Sequence, residues 1–191
     1  RVSGVVRVTL TDNVIPHEKR SGDKPFTRYF LKSCDAFITM SEKVMTDLRT
    51  FEPSNPARII THPLYDNFGS IIPKAEARKH LGLPENDRII LFFGFIRKYK
   101  GLDLLLDAIS ILKSNPSSLN LNLNLNLNLN LKLLIAGEFY EDKKPYLDQI
   151  EKLGISDWLI LRTEFIPDSE VKYYLCSADA VIQPYRNATQ S

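Results

Sequence analysis

The sequence predicts an α/β fold in which parallel sheets are covered by helices. Short apolar runs typical of strands alternate along the chain with stretches whose apolar residues recur at helical spacing. This alternation favours strands joined by helical crossovers, which makes neighbouring strands parallel. The 191 residues are 43% hydrophobic and 25% charged, a composition typical of globular proteins.

A turn-rich stretch without periodicity, His62–Lys74, separates two groups of elements. We place a domain boundary within it, which gives a first domain at 1–68 and a second at 69–191. The elements predicted before the boundary are a strand at 4–10, a helix near 25–34, a strand at 35–40, a helix after Ser41 and a strand at 57–61. Ser41 is a good N-cap for its helix, and Glu42 suits the first turn.

The second group of elements continues the same alternation. Its predicted members are helix 75–82, strand 88–93, helix 102–113, strand 132–136, helix 144–153, strand 158–162, helix 169–176 and strand 179–183. Asp168 directly precedes the last of these helices, and we expect its carboxylate to cap the first turn.

Leucine and asparagine alternate without interruption from Leu119 to Leu131. Strict period two is typical of a half-buried strand, but natural strands average about five or six residues and asparagine is poor in them. We therefore interpret 119–131 as a low-complexity insertion that lies outside the packed core. An exposed segment of this composition carries a risk of aggregation, and we assign it no function.

Charge, cysteine spacing and the length of the apolar runs argue against nucleic-acid binding, a cysteine metal site and a transmembrane helix. With 25 basic and 23 acidic residues the net charge is +2, so no overall field favours nucleic acid. Cys34 and Cys176 lack metal-ligand spacing, and we expect buried free thiols in a reducing cytoplasm. No apolar run reaches the roughly 18 residues that a transmembrane helix needs.

The segment from Phe92 to Gly101 carries the main chemical signal. An apolar run ends at Gly94, a basic loop follows, and Gly101 opens an apolar helix. This order suits a bound phosphate, because the glycine lets the backbone approach, the helix start offers N–H groups, and cations neutralise charge. A Walker A loop is excluded, since no Gly-Lys-Ser/Thr follows. The alternative is a solvated basic turn.

In this loop Lys100 and Gly101 come six and seven residues after Gly94. The loop resembles the donor-site loop of retaining GT-B glycosyltransferases of family 4. The resemblance implies that Lys100 and an arginine hold the diphosphate of a nucleotide-sugar. The family arginine often follows the glycine directly, where this chain has Phe95. Arg97, two residues further on, is its expected counterpart, and Lys98 has none.

The same resemblance implies further donor contacts along the second domain. Gly137 and Glu138 form a strand-end corner beside the nucleotide, or an ordinary strand-to-helix turn. Backbone groups of the Phe165–Ile166–Pro167 turn are expected to contact the base. Thr189, Gln190 and Ser191 stand where the family begins its Glu-x7-Glu motif, so their hydroxyl and amide groups are expected to contact the sugar instead of a glutamate.

On the acceptor side, the segment from Thr9 to Glu18 resembles a strand end and loop that face the family's cleft. Asp12 stands about where many members carry a histidine, and we expect it to contact the sugar or acceptor; His17 is a second candidate. The alternative for Asp12 is a turn or helix cap. His62 and His80 are expected to be structural.

The resemblance covers nearly the whole chain and implies two Rossmann-like domains, an acceptor-side one and a donor-side one. Because the chain starts at Arg1 and both ends run into or out of strand-like segments, we expect an internal segment with both domains truncated. The implied activity is hexosyl transfer with retention from a nucleotide-diphospho-sugar to a glycan or lipid-linked glycan in polysaccharide biosynthesis. No metal cofactor is expected, because Arg97, Lys100 and the helix start at Gly101 would stabilise the leaving diphosphate.

Two other functions stay open at this point. One is a GT-B nucleotide-sugar 2-epimerase, for which only Asp12 and His17 are candidate catalytic groups. The other is a non-catalytic paralogue that holds a nucleotide-sugar without transferring it, favoured by the absent family glutamate and histidine. The implied location is the cytoplasm, at the inner face of the membrane where the acceptor is lipid-linked, without nucleic acid as a partner.

Overall fold

The computed structural model describes residues 4–16, 21–115 and 130–186. The described residues up to Leu64 form one compact unit, and those from Tyr65 to Arg186 form another. The α/β class with parallel sheets is confirmed, because every pairing between the described strands is parallel.

The first unit contains a three-stranded sheet and two helices. Its elements are β1 (Val8–Thr11), α1 (Asp23–Leu31), β2 (Ala36–Thr39), α2 (Glu42–Phe51) and β3 (Ala57–Ile59). The strands lie in the order β1-β2-β3. The predicted cap of α2 is confirmed, since the Ser41 side chain accepts a hydrogen bond from the Val44 N–H at 3.2 Å.

The second unit contains a four-stranded sheet with helices on both faces. Its elements are α3 (Lys74–Leu81), β4 (Arg88–Phe93), α4 (Leu102–Ser114), β5 (Leu131–Ala136), α5 (Lys144–Leu153), β6 (Leu159–Arg162), α6 (Asp168–Ser177) and β7 (Ala180–Val181). Two short 3-10 helices that the sequence did not predict lie at Lys98–Lys100 and Ser156–Trp158.

Successive side chains of β5 point to opposite faces of the sheet, and both faces are covered. Leu133 and Ile135 pack into the cluster formed with α4 and α5, whereas Leu134 and Ala136 pack into the cluster that includes Tyr174 of α6. All four side chains are almost fully buried. A run buried on both faces is typical of a central strand in a parallel sheet.

The strand order is β6-β5-β4-β7. The chain therefore builds outwards from β4 through β5 to β6 and then returns to the other side of β4 to form β7. Strand order reverses between β4 and β7, and ligands of open α/β sheets bind outside the carboxyl ends of the strands at such a point. The loop that follows β4 begins there.

The structure corrects three sequence predictions. Asp168 is not an N-cap: it is the first residue of α6, and the carbonyl of Pro167 accepts the first helical hydrogen bond, from the Glu170 N–H at 2.9 Å. Leu131 is not outside the core, because it pairs with Arg88 as the first residue of β5 and is 9% exposed. Asn130 is also described, and its carbonyl accepts from the Arg88 N–H at 2.9 Å. Residues 119–129 of the predicted insertion lie outside the described residues.

The third correction concerns the strands predicted at 4–10 and 179–183. The observed strands are shorter, β1 beginning at Val8 and β7 ending at Val181. A strand continues only as far as a neighbour supplies hydrogen-bonding partners, and β2 offers Ala36–Thr39 to β1. The longest described helix, α4, has 13 residues, and no described helix is long and apolar enough to cross a bilayer.

Candidate functional site

The predicted donor loop lies at the carboxyl edge of the second unit's sheet. Gly94 follows β4, Gly137 follows β5, and the segment Gln183–Tyr185 closely follows β7. The strands are parallel, so these three ends share one edge. The fold thus brings together residues that are far apart in the sequence.

Two of the predicted glycines meet backbone to backbone. Gly94 has φ 104° and Gly137 has φ 130°, conformations that L-residues with a side chain rarely adopt. A Cβ on Gly137 would lie 2.3 Å from the Gly94 carbonyl oxygen. The Gly94 N–H also donates to the Ala136 carbonyl at 2.9 Å. Close packing of the two turns therefore requires glycine at position 137, and the positive φ favours glycine at position 94.

Lys100 reaches back over the first of these glycines. Its Nζ lies 3.2 Å from the position that a Cβ on Gly94 would occupy, and 5.8 Å from the ring centroid of Tyr185. Burial lowers the pKa of the Lys100 ammonium, and the nearby charge of Arg97 lowers it further. The ammonium is therefore partly desolvated next to a second cation.

Gly101 anchors the start of α4 against the segment after β7. It has φ 74°, and a Cβ there would lie 2.1 Å from the Pro184 carbonyl oxygen. The first helical hydrogen bond runs from the Leu104 N–H to the Gly101 carbonyl at 3.0 Å. The N–H groups of Leu102 and Asp103 precede it and have no helical acceptor, so the helix start retains donors for an anion.

The acidic side chain at the start of α4 is neutralised within the same unit. Arg186 forms an ion pair with the Asp103 carboxylate, and the Arg186 N–H donates to the Tyr99 carbonyl at 2.8 Å. Tyr99 stacks on Tyr185 with 6.0 Å between ring centroids. The segment after β7 is thereby fixed to the basic loop, and the negative charge of Asp103 has a cationic partner.

Arg97 is held by an aromatic ring. Its guanidinium carbon lies 4.2 Å from the ring centroid of Tyr140, the residue that follows the Gly137 turn. Within residues 4–16, 21–115 and 130–186, no carboxylate lies within ion-pair distance of Arg97 or Lys100. Arg97 and Lys100, which the family resemblance implies for diphosphate binding, are partly buried, whereas Lys98 is exposed. Arg97 and Lys100 also lie close enough for their charges to interact.

The predicted base-contacting turn lines a separate cavity beyond β6. Phe165 and Ile166 border a space of about 390 Å³, together with Glu170 and Tyr174 of α6. Phe165 is 69% exposed, so its ring is available to a ligand. Glu138 contributes its carbonyl oxygen to the Gly94 loop, accepting from the Ile96 N–H at 2.8 Å, while its side chain is exposed.

The remaining predicted site residues belong to the first unit or lie outside the described residues. Asp12 belongs to the first unit, where it directly follows β1 and is exposed. His17, Thr189, Gln190 and Ser191 lie outside the described residues. His80 has structural contacts, since its ring stacks on Tyr173 with 3.7 Å between centroids.

Three residues of the site were missed by sequence reasoning: Tyr140, Tyr185 and Arg186. Each contacts the basic loop from the end of another strand, and nothing in the local sequence pattern reports such a contact. Across the described ranges, no cluster of three or more His, Cys, Asp or Glu side chains could hold a metal ion.

Comparison with known proteins agrees with this architecture. The family described as "Glycosyl transferases group 1" matches residues 73–189. A curated relative, the D-inositol 3-phosphate glycosyltransferase of Thermobifida fusca, is 25% identical over 173 residues, which cover 85% of this chain and 38% of the relative.

Two solved structures share the fold at low sequence identity. HepE of Anabaena, in complex with UDP and glucose, has a TM-score of 0.73 at 15% identity and covers 96% of this chain and 47% of its own. Sucrose-phosphate synthase of Thermosynechococcus elongatus has a TM-score of 0.70 at 16% identity, with coverages of 91% and 41%. The chain thus spans less than half the length of these three relatives.

Proposed function

The chain belongs to the glycosyl transferases group 1 family, and we propose from this premise that it holds the diphosphate of a nucleotide-sugar donor. The protein of which it is part would transfer the sugar to a glycan or lipid-linked glycan. HepE, a structure of the same fold, was solved with UDP and glucose, which supports a nucleotide-sugar as the donor.

The observation that carries this proposal is the position of Lys100. Its ammonium is partly buried, lies near the positive charge of Arg97, and lacks a carboxylate partner among the described residues. Two cations in this situation repel each other unless an anion lies between them. The loop also sits beside the reversal of strand order, where α/β sheets bind ligands.

The catalytic contribution of these groups is electrostatic. When the bond between the sugar and the diphosphate breaks, the electron pair leaves with the diphosphate and negative charge grows on its oxygens. Lys100, Arg97 and the first N–H groups of α4 stabilise this charge in the transition state more strongly than they stabilise the bound donor in the ground state. This difference lowers the barrier. Because these groups are already in place, no reorganisation is needed during the reaction.

Retention of configuration and membership of family 4 are part of the proposal. The acceptor hydroxyl would attack from the side that the diphosphate leaves, and its proton would pass to a phosphate oxygen. This course needs no protein nucleophile and no metal cofactor. Asp12, with His17 as the second candidate, would contact the acceptor or the sugar.

The remaining donor contacts follow from the same resemblance. Phe165 and Ile166 would hold the base in the cavity that they border, and Gly137 and Glu138 would lie beside the nucleotide. Thr189, Gln190 and Ser191 would bind the sugar hydroxyls.

We propose a cytoplasmic location, with peripheral membrane contact where the acceptor is lipid-linked.

The family match does not favour either alternative function. The three relatives above carry the names of a glycosyltransferase, a synthase and HepE, and none is described as an epimerase. An epimerase would change the sugar without an acceptor, and a binding paralogue would hold the donor without releasing its nucleotide. Activity measurements separate these outcomes.

A panel of nucleotide-sugars with the full-length protein tests the proposal. We expect one nucleotide-sugar to raise the melting temperature, because a ligand that binds only the folded state stabilises it. With that donor and an acceptor, the nucleoside diphosphate should be released. Binding without release, release of an isomerised sugar-nucleotide, or no shift with any nucleotide-sugar would contradict the proposed transfer.

A further inference from the structure

Arg97 lies two residues beyond the place where the resembled loop has its arginine, yet its backbone is firmly held. Ile96 is fully buried and forms a bridge with Phe139, with hydrogen bonds from the Ile96 N–H to the Glu138 carbonyl (2.8 Å) and from the Tyr140 N–H to the Ile96 carbonyl (3.1 Å). The same bridge therefore fixes the backbone beside both Arg97 and Tyr140, which directly follow the two bridge residues.

The ring of Tyr140 contacts two residues of the basic loop. The Arg97 guanidinium is 4.2 Å from its centroid, and Phe95 contacts it edge to face at 5.0 Å with an interplanar angle of 69°. Phe95 occupies the position of the family arginine. The Phe95 side chain contacts the ring that contacts Arg97, so Phe95, Tyr140 and Arg97 form one group of side-chain contacts.

A ring face holds a guanidinium without using its hydrogen-bond donors. A carboxylate partner would accept from the same N–H groups that bind a phosphate in bidentate fashion. Stacking on Tyr140 leaves those groups free in the plane of the guanidinium. In the described part of the chain Arg97 has no competing carboxylate.

The Tyr140 ring contributes little to the packed core. It is 60% exposed, and it lies outside the buried clusters of the second unit. A ring that stays mostly exposed adds little to the stability of a fold, because it buries little apolar area. A substitution there should leave the second unit folded, which makes the ring's contact with Arg97 testable by itself.

We infer that Tyr140 is a positioning residue that holds the Arg97 guanidinium, through its ring face, for the diphosphate of the donor. The inference rests on the proposed function, since it assumes that Arg97 binds the diphosphate. It adds that the aromatic face, and not the hydroxyl of Tyr140, does the positioning, and that Tyr140 acts only through Arg97.

The test is a double-mutant cycle on the full-length protein, with dissociation constants measured for UDP, GDP and ADP. The nucleotide that binds the unmodified protein most tightly is used for all variants. Tyr140→Phe keeps the ring face and should change the constant less than about twofold. Tyr140→Leu keeps an apolar side chain without the face, and should weaken binding about threefold to tenfold.

In the Arg97→Ala background, Tyr140→Leu should have no further effect, which a general loss of packing would not reproduce. Melting temperatures of all variants check that they remain folded. An unchanged dissociation constant in Tyr140→Leu, or an equal loss with and without Arg97, would overturn the inference.

Lys100→Ala distinguishes failure of the positioning role from failure of the proposed function. If Lys100→Ala weakens binding while Tyr140→Leu does not, only the positioning role fails. If Lys100→Ala has no effect, or none of the nucleotides binds, the proposed function fails as well.

Discussion

At the scale of single residues, two independent constraints require glycine at position 101. The backbone there has φ 74°, and a Cβ would lie 2.1 Å from the Pro184 carbonyl oxygen. Gly82 has a similar φ of 63° but nothing within 4 Å of its Cβ position. The two glycines therefore separate the conformational cost from the cost of the clash.

Gly82→Ala should destabilise the protein by roughly 1 kcal/mol, the cost of a left-handed conformation for a residue with a side chain. Gly101→Ala should cost about 1 to 3 kcal/mol more, because the backbone around Pro184 must move. Urea unfolding of both variants measures the difference. Equal losses would show that α4 does not start against Pro184 as described.

The position of the basic loop between β4 and α4 was predictable because its signal is local. The order of strand, Gly94, cations and Gly101 is contained in one short segment, so the place of the loop at the strand end could be read locally. The diphosphate-binding roles of Lys100 and Arg97 came from the family resemblance and stay predictions. Tyr140 and Tyr185 reach the loop from other strands, and their roles depend on strand order, which a local pattern does not contain.

At the scale of elements, one carboxylate joins α3, β4 and β7. Asp179, directly before β7, forms ion pairs with Lys74 (2.7 Å) and Arg78 (2.8 Å) of α3 and accepts from the Ile89 N–H of β4 at 2.7 Å. The side chain of Arg78 is only 5% exposed. The position of β7, and of the segment after it that contacts the basic loop, depends on this group.

Asp179→Ala should lower the free energy of unfolding by about 2 to 4 kcal/mol, because Arg78 is left buried without its carboxylate. Asp148→Ala is the matched control: its ion pair with Lys144 is exposed and lies within one helix turn, so no measurable change is expected. Urea unfolding compares the two variants. Similar stabilities would contradict the joining role of Asp179.

The same carboxylate predicts a pH dependence. Burial alone would raise the pKa of Asp179, but hydrogen bonds from Lys74 and Ile89 and the charges of Lys74 and Arg78 outweigh it and lower the pKa to about 2. The ordinary value is 3.8, so this stabilisation is present above about pH 4 and is lost as the pH falls towards about 2. The stability of Asp179→Ala should fall less steeply over that window, which acid titration of the melting temperature checks.

Element bounds were predictable where burial fixes them. The spans of β4 and α5 agree with the prediction, and each ends on an apolar residue that a glycine follows, Phe93 before Gly94 and Leu153 before Gly154. The lengths of β1 and β7 were not predictable, since each depends on what its neighbouring strand offers. Leu131 was assigned to the repeat because its alternation continues unchanged into β5.

At the scale of the whole molecule, the leucine–asparagine segment interrupts the connection between α4 and β5. Removal of 119–129 should change the free energy of unfolding by less than about 1 kcal/mol, because loop-closure entropy varies slowly with length. Removal of 119–132 is the control and should be far more damaging, since Leu131 and Lys132 pair with β4. Melting temperatures distinguish the two deletions, and a large loss from the shorter one would show that the segment is part of the core.

The central claim is the proposal that, in the full-length protein, Lys100 stabilises the charge that develops on the donor diphosphate. The most direct measurement is kcat/KM of full-length Lys100→Ala with the cognate donor, beside Lys98→Ala as a neighbouring exposed control. We expect Lys100→Ala to fall roughly a hundredfold or more, the scale of losing one transition-state donor, while Lys98→Ala stays close to the unmodified protein. Unchanged transfer by a folded Lys100→Ala variant would contradict the account.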